Sequence, residues 1–122
     1  MSRLDEGRQF FADDPLGLAV FEIVADRVAD LGGAELRVST TQIGWARRRG
    51  FAFLWNPQRW LGQRGAPLVL TLGLPERDPT PRWKEVVEIR PGLYTHHLEV
   101  RAVEDVDDEV LTWVDRAYAA AT

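Results

Sequence analysis

The chain is 122 residues long, 45% hydrophobic and 28% charged, proportions that predict one soluble folded domain and exclude intrinsic disorder. It has no cysteine, which excludes disulfides, thiolate zinc sites, iron–sulfur clusters and cysteine nucleophiles and suits a cytoplasmic setting. Its net charge of −4 argues at first sight against nucleic-acid or anionic-membrane partners.

Residues 1–12 carry no apolar leader, and no apolar run reaches the roughly 18 residues of a membrane span, so no membrane is expected as a partner. Phe10 and Phe11 are expected to dock this N-terminal segment on the core, because two adjacent exposed phenylalanines invite aggregation. Residues 13–122 are then expected to form a single α+β domain. Asp14 as N-cap, Pro15 at the first helical position and Gly32-Gly33 as a stop predict a helix to Leu31, with Leu16, Val20, Ile23, Val24, Val28 and Leu31 as its inward stripe.

The middle of the chain changes period. Ala34 to Val38 is a candidate strand, and Ile43 to Arg47 followed by Arg48-Arg49-Gly50 and the alternating Phe51, Phe53 and Trp55 predicts a hairpin. Leu68, Leu70, Leu72 and Leu74 alternate with Val69, Thr71 and Gly73 as in a half-buried strand. Lys84 to Ile89 and Leu93 to Arg101 flank Arg90-Pro91-Gly92, a type II turn signal. The stretches Asn56 to Pro67 and Pro75 to Arg82 read as connectors. A second helix is predicted from Asp105 to Ala120, its first turn crowded with carboxylates that favour the positive end of the helix dipole.

The charge is unevenly spread. Residues 1–35 carry a net −5, residues 36–64 carry six arginines and no acid for a net +6, and residues 65–122 carry a net −5. The basic stretch also holds Trp45, Phe51, Phe53, Trp55 and Trp60, and arginine beside aromatics is the composition that grips phosphates while stacking planar groups. Two plainer readings stay open: solvated turn arginines above strand aromatics that belong to the core, and arginines paired with the acidic helices of the same or a second molecule.

Other candidates are weaker. On a strand, His96 and His97 point to opposite faces and so are poorly placed to share a metal ion, though one could act as a base near neutral pH. Lys84 with Glu85 and Glu88 could supply a nucleophile or an acid–base pair, but a lone lysine on a strand edge is usually solvated. The run Glu104 to Glu109 lacks the glycine and the closing glutamate of a calcium loop and fits helix capping better. No phosphate-cradling glycine loop, GxSxG elbow or HExxH motif occurs.

The blocks Arg37-Val38-Ser39-Thr40-Thr41-Gln42-Ile43-Gly44, Arg47-Arg48-Arg49-Gly50-Phe51-Ala52, Ala66-Pro67-Leu68-Val69-Leu70, Trp83-Lys84-Glu85-Val86-Val87-Glu88 and His96-His97-Leu98-Glu99-Val100 occur in this order. With them, from about Phe10 to Tyr118, the chain resembles a family of small bacterial, chiefly actinobacterial, domains of unknown function. It is distantly similar to C-terminal modules labelled predicted transport proteins. The resemblance implies no set activity, and the occurrence of similar modules behind nuclease-like domains implies a nucleic-acid context by association. Thr40 stands where many relatives carry lysine, and the Cys/His-rich segment that some carry before the first helix is missing.

These readings converge on an α+β fold, an antiparallel sheet of about four or five strands with two main helices on one face. The function that fits is a small cytoplasmic binding or interaction domain that contacts an anionic ligand or nucleic acid through a basic, aromatic hairpin. Candidate ligand-binding residues are Arg47, Arg48, Arg49, Trp45, Trp55, Arg59, Trp60, Lys84 and His97. No catalytic residue, metal ligand or cofactor is expected. One alternative is a small enzyme with Lys84, His96 and Glu85 around a pocket shared with Arg47. The other is a protein–protein module, such as a homodimer formed through a sheet edge or exposed tryptophans.

Overall fold

The computed structural model describes residues 2–122, with Trp60 described by its backbone alone. The chain opens with a helix that its own sequence barely supports. Helix α1 (Arg3–Phe10) is capped by Ser2, whose hydroxyl accepts from the Asp5 amide at 3.1 Å while the Asp5 carboxylate accepts from the Ser2 amide at 3.4 Å. Eight mostly polar residues are too few to hold a helix in water, so α1 depends on packing. It docks through Gly7: a Cβ there would lie 2.3 Å from Cζ of Phe21, so only glycine lets the ring lie against the α1 backbone.

Helix α2 (Pro15–Leu31) has the caps its sequence announces. The Asp14 carboxylate accepts from the Gly17 amide at 2.9 Å, and Gly32 at φ 127° ends the helix in a conformation that penalises any Cβ. Helix α4 (Asp108–Ala120) starts three residues later than expected, since Asp107 is its cap and accepts from the Val110 amide at 3.1 Å. Asp105 lies in a 3₁₀ turn (Val103–Asp105) and accepts from the amides of Arg101 and Ala102 at 2.8 and 3.2 Å. The carboxylate run thus satisfies backbone donors.

The sheet has six strands, all antiparallel: β1 (Glu35–Val38), β2 (Ile43–Ala46), β3 (Gly50–Trp55), β4 (Leu68–Leu74), β5 (Glu85–Arg90) and β6 (Leu93–Val100), in spatial order β1-β2-β3-β4-β6-β5. This corrects the expected four or five strands, and α1 adds a third helix to the expected two. The β5–β6 connection is the expected tight turn, with Gly92 at φ 82° after Pro91. A single-turn helix, α3 (Gln58–Leu61), and a 3₁₀ turn (Gly62–Arg64) interrupt the long β3–β4 connector.

The helices cover one face of the sheet. Leu68, Leu70, Leu72 and Leu74 of the central strand face them, with Leu54, Leu98 and Val100 alongside, and Arg27 of α2 binds Asp115 of α4 through two bonds of 2.7 and 2.6 Å. The expectation of a half-buried β4 is corrected: all seven of its residues are buried, Val69 and Thr71 included at 5% exposure each on the opposite face. A central strand flanked by β3 and β6 is screened laterally by its neighbours' side chains even where no helix covers it.

One local irregularity decides which aromatics are core. Trp45 pairs with Ala52 but Ala46 pairs with Gly50, which leaves Phe51 as the extra residue of a bulge. The bulge turns Phe51 to the helical face, where it is fully buried edge-on to Tyr118 at 5.5 Å. Phe53 and Trp55 take the other face, half-buried, and Phe53 lies over Gly44 and Gly50. Phe51, Phe53 and Trp55 therefore do not form one stripe.

Candidate functional site

The six arginines of the basic stretch have different fates. Arg47 donates from Nη1 to the Tyr118 carbonyl at 2.9 Å and stacks its guanidinium 4.0 Å from the centre of the Tyr118 ring, capping the negative end of α4. Arg59 lies 4.3 Å from the Phe10 ring centre and donates to the carbonyls of Phe10 and Thr40 at 3.2 and 3.5 Å. Arg37 pairs with Glu35 at 3.1 Å, and Arg64 donates to the Leu61 carbonyl at 3.4 Å. Arg47 and Arg59, both expected in a ligand site, thus make contacts within the fold, Arg47 half-buried and Arg59 exposed.

Arg48 and Arg49 remain, and the topology brings Arg90 to them. The β2–β3 turn, the β5–β6 turn and the end of α4 lie at the same end of the sheet. A Cβ on Gly73 would lie 3.4 Å from Leu93 and 3.9 Å from the Gly50 carbonyl, so the strand ends are closely packed there. The Arg47 amide closes the β2–β3 turn on the Arg49 carbonyl at 3.1 Å, and the Arg48 amide bonds the Ala121 carbonyl at 2.9 Å, pinning the turn to α4. Arg48, Arg49 and Arg90 then line one hollow of about 230 Å³ with Ala121 and Thr122. Among the described residues no carboxylate pairs with any of the three, and Nε of Arg49 is buried without a hydrogen-bond partner. Unpaired guanidinium groups in a shared hollow repel one another, and a buried N–H without an acceptor costs about 1–3 kcal/mol.

The tryptophans do not join this cluster. Trp45, expected against a ligand, is 2% exposed and packs in the core, its ring centre 5.7 Å from that of Phe21 under α2. Trp83 is buried on the same face, 4.2 Å from Trp113 and 4.9 Å from His96. The side chain of Trp60 lies outside the described residues.

The remaining candidates, Trp55, Lys84 and His97, meet on the face without helices. There the register sets Arg37, Gly44, Phe53, Thr71, His97 and Glu85 in one row across the six strands. His97 Nδ1 is hydrogen-bonded to the Thr71 hydroxyl at 2.8 Å, and that hydroxyl accepts from Trp55 Nε1 at 3.4 Å. Burial pushes the His97 imidazole below its ordinary pKa, against the attraction of nearby Glu85.

His96 is fully buried on the helical face, its Nε2 accepting from the Asp78 amide at 3.0 Å and its Nδ1 donating to the Tyr94 carbonyl at 3.1 Å. Burial lowers its pKa as well. Lys84 and Glu85 line a hollow on the opposite face, and Arg47 sits at the far end of the sheet. Lys84, His96, Glu85 and Arg47, expected around one pocket in the enzyme alternative, are therefore not brought together. None of the helices among the described residues is long and apolar enough to cross a membrane.

Comparison with known proteins adds a family but no activity. A family profile described as domain of unknown function (DUF5655) matches residues 9–121. No curated protein and no solved structure matches the chain.

Proposed function

From the premise that the chain belongs to the DUF5655 family of domains of unknown function, we propose that it is a non-catalytic binding domain that takes an anionic group at the end of its sheet. The observation that carries this reading is the convergence of Arg48, Arg49 and Arg90 on one hollow, with no carboxylate among the described residues within ion-pair distance of any of the three. A phosphate-sized oxyanion fits the donor set, because guanidinium groups bind such oxygens with charge-assisted, directional bonds. The attraction is local. The molecule as a whole carries −4, so a sequence-blind, long-range pull on nucleic acid is not expected, and the local contact should be salt-sensitive.

The test is titration of the protein with orthophosphate and with a short single-stranded oligonucleotide at low salt, beside Arg48→Ala, Arg49→Ala and Arg90→Ala. Each substitution is expected to weaken binding by roughly 10-fold. A dependence on oligonucleotide salt concentration steeper than a log–log slope of about −2 would exceed what three arginines can neutralise. Binding that is undetectable, or indifferent to all three substitutions, ends the proposal.

A self-association reading has one observation behind it. Edge strand β5 exposes Val87 at 36% and Ile89 at 54%. The same strand is interrupted by an irregular register between Glu88 and Arg90 and carries Glu85, Glu88 and Arg90, devices that blunt an edge. Light scattering across a hundredfold range of concentration decides between them.

A further inference from the structure

A second hollow, of about 380 Å³, lies on the uncovered sheet face at the end of the sheet opposite the arginine cluster. Val69 forms part of its floor, Leu61 and Ala66 of the β3–β4 connector one wall, and Lys84 and His97 the other. The hydrogen bonds beneath it fix the state of the imidazole. Trp55 Nε1 has a hydrogen and no lone pair to offer, so it donates to Thr71 Oγ1 at 3.4 Å. Thr71 is 5% exposed, and among the described residues its hydroxyl has no acceptor but His97 Nδ1 at 2.8 Å. The Thr71 proton therefore goes to Nδ1, since the alternative buries an unsatisfied O–H. That places the imidazole hydrogen on Nε2, the one ring donor left for a ligand.

The charges around the hollow are unequal. Glu99 faces Arg101 at 3.6 Å, which leaves Lys84 and Arg64 against Glu85 and an excess of one positive charge. We propose that this hollow is a binding site for a small apolar carboxylate. The apolar body rests on Val69, Leu61 and Ala66, and the carboxylate accepts from His97 Nε2–H and from the Lys84 ammonium. The size is in the range of small-molecule sites, which combine apolar walls with a few placed polar groups. This site is independent of the arginine cluster.

Phenylacetate serves as the probe, followed by NMR through the His97 imidazole nitrogens and the backbone amides of Ala66 and Val69. Phenylacetate at roughly 10 mM is expected to shift these signals, 2-phenylethylammonium and phenylacetamide are not, and Lys84→Met is expected to weaken the binding by roughly 10-fold. Lys84 is exposed, so this variant keeps the fold. Arg48→Ala with Arg49→Ala should leave the phenylacetate titration unchanged even where it abolishes phosphate binding. No shift with phenylacetate, equal shifts with the amine or the amide, or an unaffected Lys84→Met overturns the proposal.

Discussion

Replacing Arg47 by alanine separates the structural arginines from the candidate ligand-binding ones. Arg47 is half-buried between the hairpin turn and α4, where it makes one charge-assisted bond of 2.9 Å to the Tyr118 carbonyl and stacks 4.0 Å from the Tyr118 ring centre. A hydrogen bond to a charged group is worth about 1.5–3 kcal/mol and a partly exposed cation–π contact about 0.5–1 kcal/mol. The two share one guanidinium and overlap with its attraction to the helix end, so about 2 kcal/mol is the expected loss. For a chain of this size that corresponds to a fall in Tm of about 6–10 °C. Arg47→Lys keeps the charge but neither the planar stack nor the donor geometry, and should fall between the two. Arg48→Ala is the control: its tie to α4 is the main-chain bond to Ala121, which the substitution keeps, so its stability should change by no more than about 0.5 kcal/mol. Thermal and urea melts followed by circular dichroism read both. An Arg47→Ala melt within about 2 °C of the parent, or an equal loss in Arg48→Ala, would refute this division of labour.

Gly7→Ala is expected to destabilise by about 1–3 kcal/mol, because the new methyl meets the Phe21 ring at 2.3 Å and that ring is hemmed in by Phe11 and Trp45. Hydrogen exchange should locate the loss in α1, and unchanged protection there would count against the docking described. The buried histidines predict a pH dependence. His96 and His97 both have folded pKa values below the ordinary 6.5 because burial disfavours the imidazolium, so the unfolded chain binds protons more readily as pH falls. Their stabilisation is present above about pH 6.5 and lost as pH drops through the folded values. The urea midpoint should therefore fall between pH 7.5 and 5. Asp78 and Asp107, held below the ordinary carboxylate range mainly by hydrogen bonds, are expected to weaken the fold only in a separate window below about pH 4. A midpoint constant down to pH 5 would contradict the histidine assignment.

Much of the fold follows from local signals. Asp14, Pro15 and Gly32 bound α2 because caps act within a few residues, and Pro91-Gly92 makes the β5–β6 turn because only glycine readily takes φ 82°. Helix α1 leaves almost no trace in the sequence beyond Ser2 and Asp5, since its stability comes from a contact between Gly7 and Phe21 that no local pattern encodes.

The sequence by itself determined that a basic, aromatic stretch exists, that His96 and His97 face opposite ways and that acidic segments flank that stretch. Only the tertiary structure decided which of those side chains share a surface. The bulge at Phe51 reversed the face of one aromatic, α2 covered Trp45, and the end of α4 took Arg47 out of the charged set. Arg90, forty-one residues from Arg49 and absent from the expected site, lines the same hollow because an antiparallel sheet stacks the β2–β3 and β5–β6 turns at one end. Alternation and capping are short-range properties of a chain, whereas the company a side chain keeps depends on strand order, and strand order is set by the burial of the whole core.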